Sequence, residues 1–162
     1  MPITLDTIVY DIMGAIQALI ADNIAGVIAP QPSLYPTAID TTNGGAVALT
    51  FLGSGESWQK GGGYSQGQYI YRVIVFLDPV AQSDIPSHVV DGALLIQKFH
   101  NLFDNSIKSV LFNPGDYQAT IETSPTGPHA THSEPSPNYT FRGVAWYGFE
   151  MQVPVRWQGP QV

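Results

Sequence analysis

Gln68-Tyr69-Ile70-Tyr71-Arg72-Val73-Ile74-Val75-Phe76-Leu77-Asp78 is the stretch on which the fold turns. Its aromatic and β-branched residues suit a pleated, buried surface. In an extended chain Tyr69, Tyr71, Val73, Val75 and Leu77 share one face, and Ile70, Arg72, Ile74 and Phe76 share the other. Both faces are largely apolar, which predicts a strand central in its sheet.

Upstream of it, Leu5, Ile8, Val9, Ile12, Met13, Ile16, Leu19, Ile20 and Ile24 recur at three- and four-residue steps and predict a helix over 5–24. Asp6 and Asp11 lie early in that helix, where its dipole favours negative charge. Pro30, Pro32 and Pro36 predict an extended connector. Residues 37–42 and 46–52 read as a hairpin around Asn43-Gly44-Gly45, a turn signal because Asn and Gly tolerate positive φ. The six glycines of 53–67 predict a long flexible loop.

Downstream, Ser83 or Asp84 can cap a second helix, with Pro86 in its first turn. Val89, Val90, Ala93, Leu94, Ile96, Phe99, Leu102 and Phe103 give that helix a wide apolar stripe to about residue 104. Residues 107–112 and 117–123 read as strands around the turn Asn113-Pro114-Gly115-Asp116. The Pro-, Ser-, Thr- and His-rich stretch 124–138 reads as a second loop. Residues 139–157 read as one long strand, bent at Gly143, Gly148 or Pro154. Tyr139, Phe141, Ala145, Tyr147, Phe149, Met151, Val153, Val155 and Trp157 fall on one of its faces; Thr140, Arg142, Trp146, Glu150, Gln152 and Arg156 fall on the other. With no internal repeat or domain boundary, residues 1–162 read as a single α+β domain. Its expected architecture is a mainly antiparallel β-sheet with two helices packed on one face.

Composition narrows the function classes. Hydrophobic residues make up 44% of the 162 and charged residues 12%, against the usual quarter or so. A surface so poor in charge favours quaternary contacts over a monomer coated in uncharged polar groups. The net charge is −7, and the basic residues Lys60, Arg72, Lys98, Lys108, Arg142 and Arg156 form no stripe, which argues against binding of a phosphate backbone. With no cysteine, disulfides, thiolate catalysis and thiolate metal sites are excluded. The N-terminal stretch lacks the basic start of a signal peptide, and no run of 18 apolar residues is present, so no membrane partner is expected. Asn138-Tyr139-Thr140 matches a glycosylation acceptor, which means little without secretion.

Chemical motifs are few. Gly63-Tyr64-Ser65-Gln66-Gly67 matches the pattern of a nucleophile elbow, but a helix must follow such a serine and here a strand follows. Lys60-Gly61-Gly62-Gly63 inverts the order of a phosphate-binding loop. His129, His132 and Glu134 could ligate a metal, yet a proline-rich loop supplies no rigid spacing. His88 and His100 lie twelve positions apart on the second helix and form no pair with each other. Asp78, Asp84 and Asp91 are divided among a strand end, a loop and a helix, so they do not pair for acid–base work. Catalytic, cofactor-binding and metal-ligating residues are therefore not assigned, and no enzyme or cofactor is expected. Trp58, Lys60 and Tyr64 in the first loop, and His129 and His132 in the second, are candidate subunit or partner contacts, since loop aromatics often anchor a partner.

In layout the chain resembles the tail terminator proteins of long-tailed bacteriophages. The likeness is carried by the N-terminal helix leading to Ala46-Val47-Ala48-Leu49, by the run from Tyr69 to Pro79 followed by the helix from Pro86, and by the late aromatic strand from Tyr139 through Met151. The resemblance implies a homo-oligomeric ring, a hexamer, that caps the tail tube and joins it to the head-completion or connector protein. DNA would pass through the channel without specific binding, and the family supplies no catalytic residues to carry over. Loops 53–67 and 124–138 are the expected contact elements, and the virion, assembled in a host cytoplasm, the expected location. Other readings stay open: another neck or tail-tube subunit, a small serine hydrolase using Ser65, or a monomeric sugar- or peptide-binding module using Trp58, Tyr64 and Trp146.

Overall fold

The computed structural model describes residues 5–24, 46–60, 64–82, 85–105, 110–112 and 117–160. The apolar alternation of 68–78 lies within strand β2 (Tyr64–Pro79), which is flanked on both sides as expected. On one side β2 pairs with β1 (Ala46–Lys60) and on the other with β7 (Val144–Pro160), so that Val73 lies between Leu49 and Met151. The sheet runs β1-β2-β7-β4-β3, with β3 (Val110–Phe112) and β4 (Gln118–Ile121) at its far side. Two more strands, β5 (Thr131–His132) and β6 (Ser136–Phe141), also pair with β7. All of these pairings are antiparallel. Helices α1 (Leu5–Asn23) and α2 (Ile85–Phe103) complete an α+β fold; a 3₁₀ turn at Val80–Gln82 follows β2. Neither helix is long and apolar enough to cross a membrane.

Both helices bury their apolar stripes on the same sheet face. Ile8, Ile12, Ile16, Ile20 and Ile24 of the first helical segment join Tyr69, Tyr71, Val73, Val75 and Leu77 of β2 and Phe149, Met151, Val153, Val155 and Trp157 of β7 in one core. Four-residue spacing places those isoleucines along a single helical face. Two tyrosines fix α1 by their polar ends: the Tyr71 hydroxyl donates to the Val9 carbonyl at 3.0 Å, and that of Tyr117 to Asp11 Oδ2 at 2.6 Å. At the C-terminus of α1 the Asn23 amide caps the Leu19 carbonyl at 2.8 Å. Phe99 of α2 sits beside Phe103 and meets Phe149 edge-on, ring centres 6.1 Å apart. The opposite sheet face holds a smaller cluster of Ala48, Ile74, Phe76 and Trp146, with Tyr139 and Phe141 packed on it.

Four expectations change. First, 53–67 is no long loop: residues 53–60 belong to β1 and 64–67 to β2, leaving only 61–63 outside the described residues. Glycine content signalled chain freedom, but pairing decides, because Ser65 and Gln66 have β1 on one side and β7 on the other. The irregularity concentrates in register shifts at Phe51/Gly53 and Ser54/Ser57. At Gly67 the absent side chain makes room, since a Cβ there would stand 2.9 Å from Trp157 Nε1.

Second, the loop 124–138 contains β5 and the start of β6. Third, 139–157 is two strands joined at Arg142 (φ 48°) and Gly143 (φ 77°), a pair of positive φ values that reverses the chain as tight hairpins require. The reversal moves Tyr139 and Phe141 to the face of Trp146, away from Phe149 and Met151. Fourth, the buried side of α2 runs through Leu95, Ile96, Phe99, Leu102 and Phe103, while Val90 (59%), Ala93 and Leu94 (53%) are exposed. The expected strand at 37–42, the cap at Ser83 or Asp84 and the turn Asn113–Asp116 lie outside the described residues; β1 takes β2 as its hairpin partner.

Candidate functional site

The sheet places the expected contact residues in two groups. Trp58 and Lys60 lie near the end of β1 and Tyr64 opens β2, with Trp58 opposite Gln66 and Lys60 opposite Tyr64. Tyr64 is in turn opposite Pro160, whereas the Arg142-Gly143 turn precedes the other end of β7, where Trp146 faces Pro79. The ends of the two hairpins therefore lie at opposite ends of the β2–β7 pair. With 16 residues in β2, and so one step fewer at roughly 3.4 Å each, those ends are up to about 50 Å apart.

The second group, His129 and His132, belongs to a strap over 124–135 that lies along β7. Buried Ala130 and the β5 pairings of Thr131 with Gln152 and His132 with Met151 hold the strap. Ser133 adds three contacts: its backbone N–H donates to the Glu150 carbonyl at 2.9 Å, its hydroxyl accepts from the Glu150 N–H at 3.0 Å, and it lies 3.2 Å from the Tyr139 hydroxyl. Pro135 packs where a Cβ on Gly92 of α2 would stand, 2.8 Å from its Cγ. His129 is exposed and turned to the Gly127 carbonyl, 2.7 Å away. His132 takes a different partner: its Nδ1 is 2.7 Å from Nε2 of His100 on α2. Among the described residues no three or more His, Asp or Glu side chains are grouped to hold a metal ion.

On the face away from the helices, charge is paired internally. Arg72 Nε donates to Glu150 Oε2 at 2.6 Å, and Arg156 Nε donates to Glu122 Oε1 at 3.0 Å. Gln68 donates to the other oxygen of Glu122, and Gln158 donates to Gln118 at 3.0 Å. A shallow cavity of about 150 Å³ is lined by Gln118, Thr120, Arg156, Trp157 and Gln158. Two of the six basic residues are thus matched by carboxylates, Glu150 on β7 and Glu122 just after β4, a surface that a phosphate backbone would not favour.

The remaining candidates separate. Ser65 is buried within β2, between Gln59 and Gly159, and not at a strand-to-helix turn. Trp146 is 8% exposed and its ring meets Phe76 edge-on, which removes it from any open aromatic platform. The sequence reading missed the His100–His132 contact. Its only local sign was the pair of imidazoles, because the pairing depends on a two-residue strand that no periodicity reveals. No protein-family model and no curated protein sequence matches the chain.

Proposed function

We propose that this chain is a structural subunit of a phage virion, the tail terminator, which forms a ring that caps the tail tube and joins it to the head connector. The observation that carries the reading is the two-ended sheet. Hairpin ends up to about 50 Å apart suit a subunit that must touch one assembly above and another below. Two further features support it: a chain only 12% charged, and exposed apolar residues on several elements, namely Tyr10 of α1, Leu52 of β1, Val90 and Leu94 of α2, and Val144 of β7. A closed ring of identical subunits needs two different, complementary patches on each copy. The subunit acts by assembly, without chemistry of its own, and DNA passes through the ring unread.

A tail-tube subunit is the second reading. It is favoured by the outer edge of β1, which pairs with no strand among the described residues; such an edge is a template for pairing with a neighbouring copy. Native mass measured against concentration, with negative-stain images of the same sample, tests the proposal. A ring of about six copies with a central hole is the expected result, and binding to one end of purified tail tubes separates terminator from tube subunit. A chain that stays monomeric at every concentration and ignores tail tubes refutes both.

A further inference from the structure

The contact between α2 and the strap has a chemistry of its own. Four groups lie in a row: Asp104 Oδ2 is 3.2 Å from His100 Nδ1, His100 Nε2 is 2.7 Å from His132 Nδ1, and His132 Nε2 is 3.9 Å from Glu134 Oε1. The rings stand edge to face at 79°, with centres 4.8 Å apart. They come from elements 32 positions apart in sequence, so the contact is tertiary. His132 shares its sheet face with Met151, which is why it reaches α2. The Arg72–Glu150 pair lies on the other face, and His129 is engaged with Gly127. Asp104 and Glu134 are therefore the charged side chains in contact with the pair; both are more exposed than the imidazoles, at 48% and 90% against 25% and 34%.

Proton counting sets what this row can do. A neutral imidazole carries one N–H and one acceptor nitrogen; a charged one carries two N–H groups and no acceptor. The short His100–His132 contact needs a donor on one ring and a lone pair on the other. With both rings neutral, His100 donates to Asp104 and accepts from His132. With one extra proton, His100 donates in both directions and His132 Nε2–H points toward Glu134, so every N–H has an acceptor. With two extra protons, an N–H of each ring faces the other across 2.7 Å, and the contact cannot persist.

We propose that His100 and His132 form a proton-controlled latch that fastens the strap 124–135 to α2, closed with zero or one positive charge and opened by the second proton. The open form binds one more proton than the closed form, so acid favours opening. Opening removes the pair contact and leaves the strap held by the β5 pairing and the Ser133 bonds alone, so these break more often while the core stays folded.

Hydrogen exchange on the intact protein tests this, with rates corrected for the intrinsic effect of pH. Between about pH 8 and about pH 5, the range in which imidazoles change charge, protection at Thr131 and Ser133 should fall about tenfold, while Val73 and Val153 keep theirs. His132→Gln keeps a hydrogen-bonding group without the titration, so its strap protection should be flat over the same range. His100→Gln serves as a second variant should the first fold poorly, as judged by its melting curve. Strap protection that follows the core at both pH values, or a drop in either glutamine variant equal to that of the unaltered chain, overturns the latch.

Discussion

Replacing Gly148 with alanine adds one methyl group where β7 lies against the backbone of β2, and the structure fixes the sign of the result. Gly148 is buried opposite Phe76, and a Cβ on it would overlap the carbonyl oxygen of Val75 and press on Tyr139 Cδ2 at 3.2 Å. The obstructing oxygen is backbone, held in the central pairing of the sheet, and cannot turn aside as a side-chain end would. Overpacking of this kind costs about 3 kcal/mol. For a domain of this size that is a fall in Tm of about 6–12 °C. Gly14→Ala is the matched control. Gly14 is exposed on α1 with no atom within 4 Å of the added carbon, and alanine there should add about 1 kcal/mol by reducing backbone freedom in the unfolded chain. Thermal melts of the two variants beside the unaltered chain read both effects. A Gly148→Ala protein melting within about 1 °C of the original would refute the close approach of β7 to β2.

Three other outcomes are expected. Burial, with smaller contributions from Tyr69 and Tyr117, raises the Tyr71 hydroxyl far above its ordinary value. Its contribution is therefore complete below about pH 10 and is lost as pH rises beyond it; Tyr71→Phe should flatten that alkaline loss in urea titrations while costing about 1 kcal/mol at neutral pH. Phe99→Ala should destabilise by about 3–5 kcal/mol, since Phe99 is fully buried between Phe103 and Phe149, and urea unfolding would expose a smaller loss if the core collapsed onto the gap. Glu122→Ala removes the carboxylate that accepts from Gln68 and Arg156 and should cost about 1 kcal/mol, because the pair is partly open to water on its Arg156 side; high salt should narrow that difference, as a comparison of melts at two ionic strengths will show.

The two helices and the central strand were legible because their signals are local. The isoleucines at 8, 12, 16, 20 and 24 and the alternation at 69–77 each declare a period within a dozen residues. The hairpin at Arg142-Gly143 was hidden because apolar alternation continues through it on both sides; only the positive φ values mark the reversal. In 53–67 the composition was read correctly and the inference from it failed, since serine and glycine are held as strand by partners that come from elsewhere in the chain. For the same reason the candidate contacts were assigned to loops, although Trp58, Lys60, Tyr64 and His132 all lie on strands. The His100–His132 contact depends on the register of β5 against β7, which no local pattern encodes.

β7 has a consequence for how the chain acquires its shape. It pairs with β2, β4, β5 and β6, and it follows all of them in sequence. A ribosome making this chain from its N-terminus emits four strands before the one that joins them. Until then β2 has one edge open, with Tyr69, Tyr71, Val73 and Val75 beside unpaired backbone, a template for contact with other nascent chains. Closing the sheet must also wait for contacts between residues 64–79 and 146–160, a separation that makes for slow folding. Expression at low temperature or with a chaperone in excess should therefore raise the soluble yield of this protein more than any surface substitution, because the vulnerable species is the chain that still lacks its last strand.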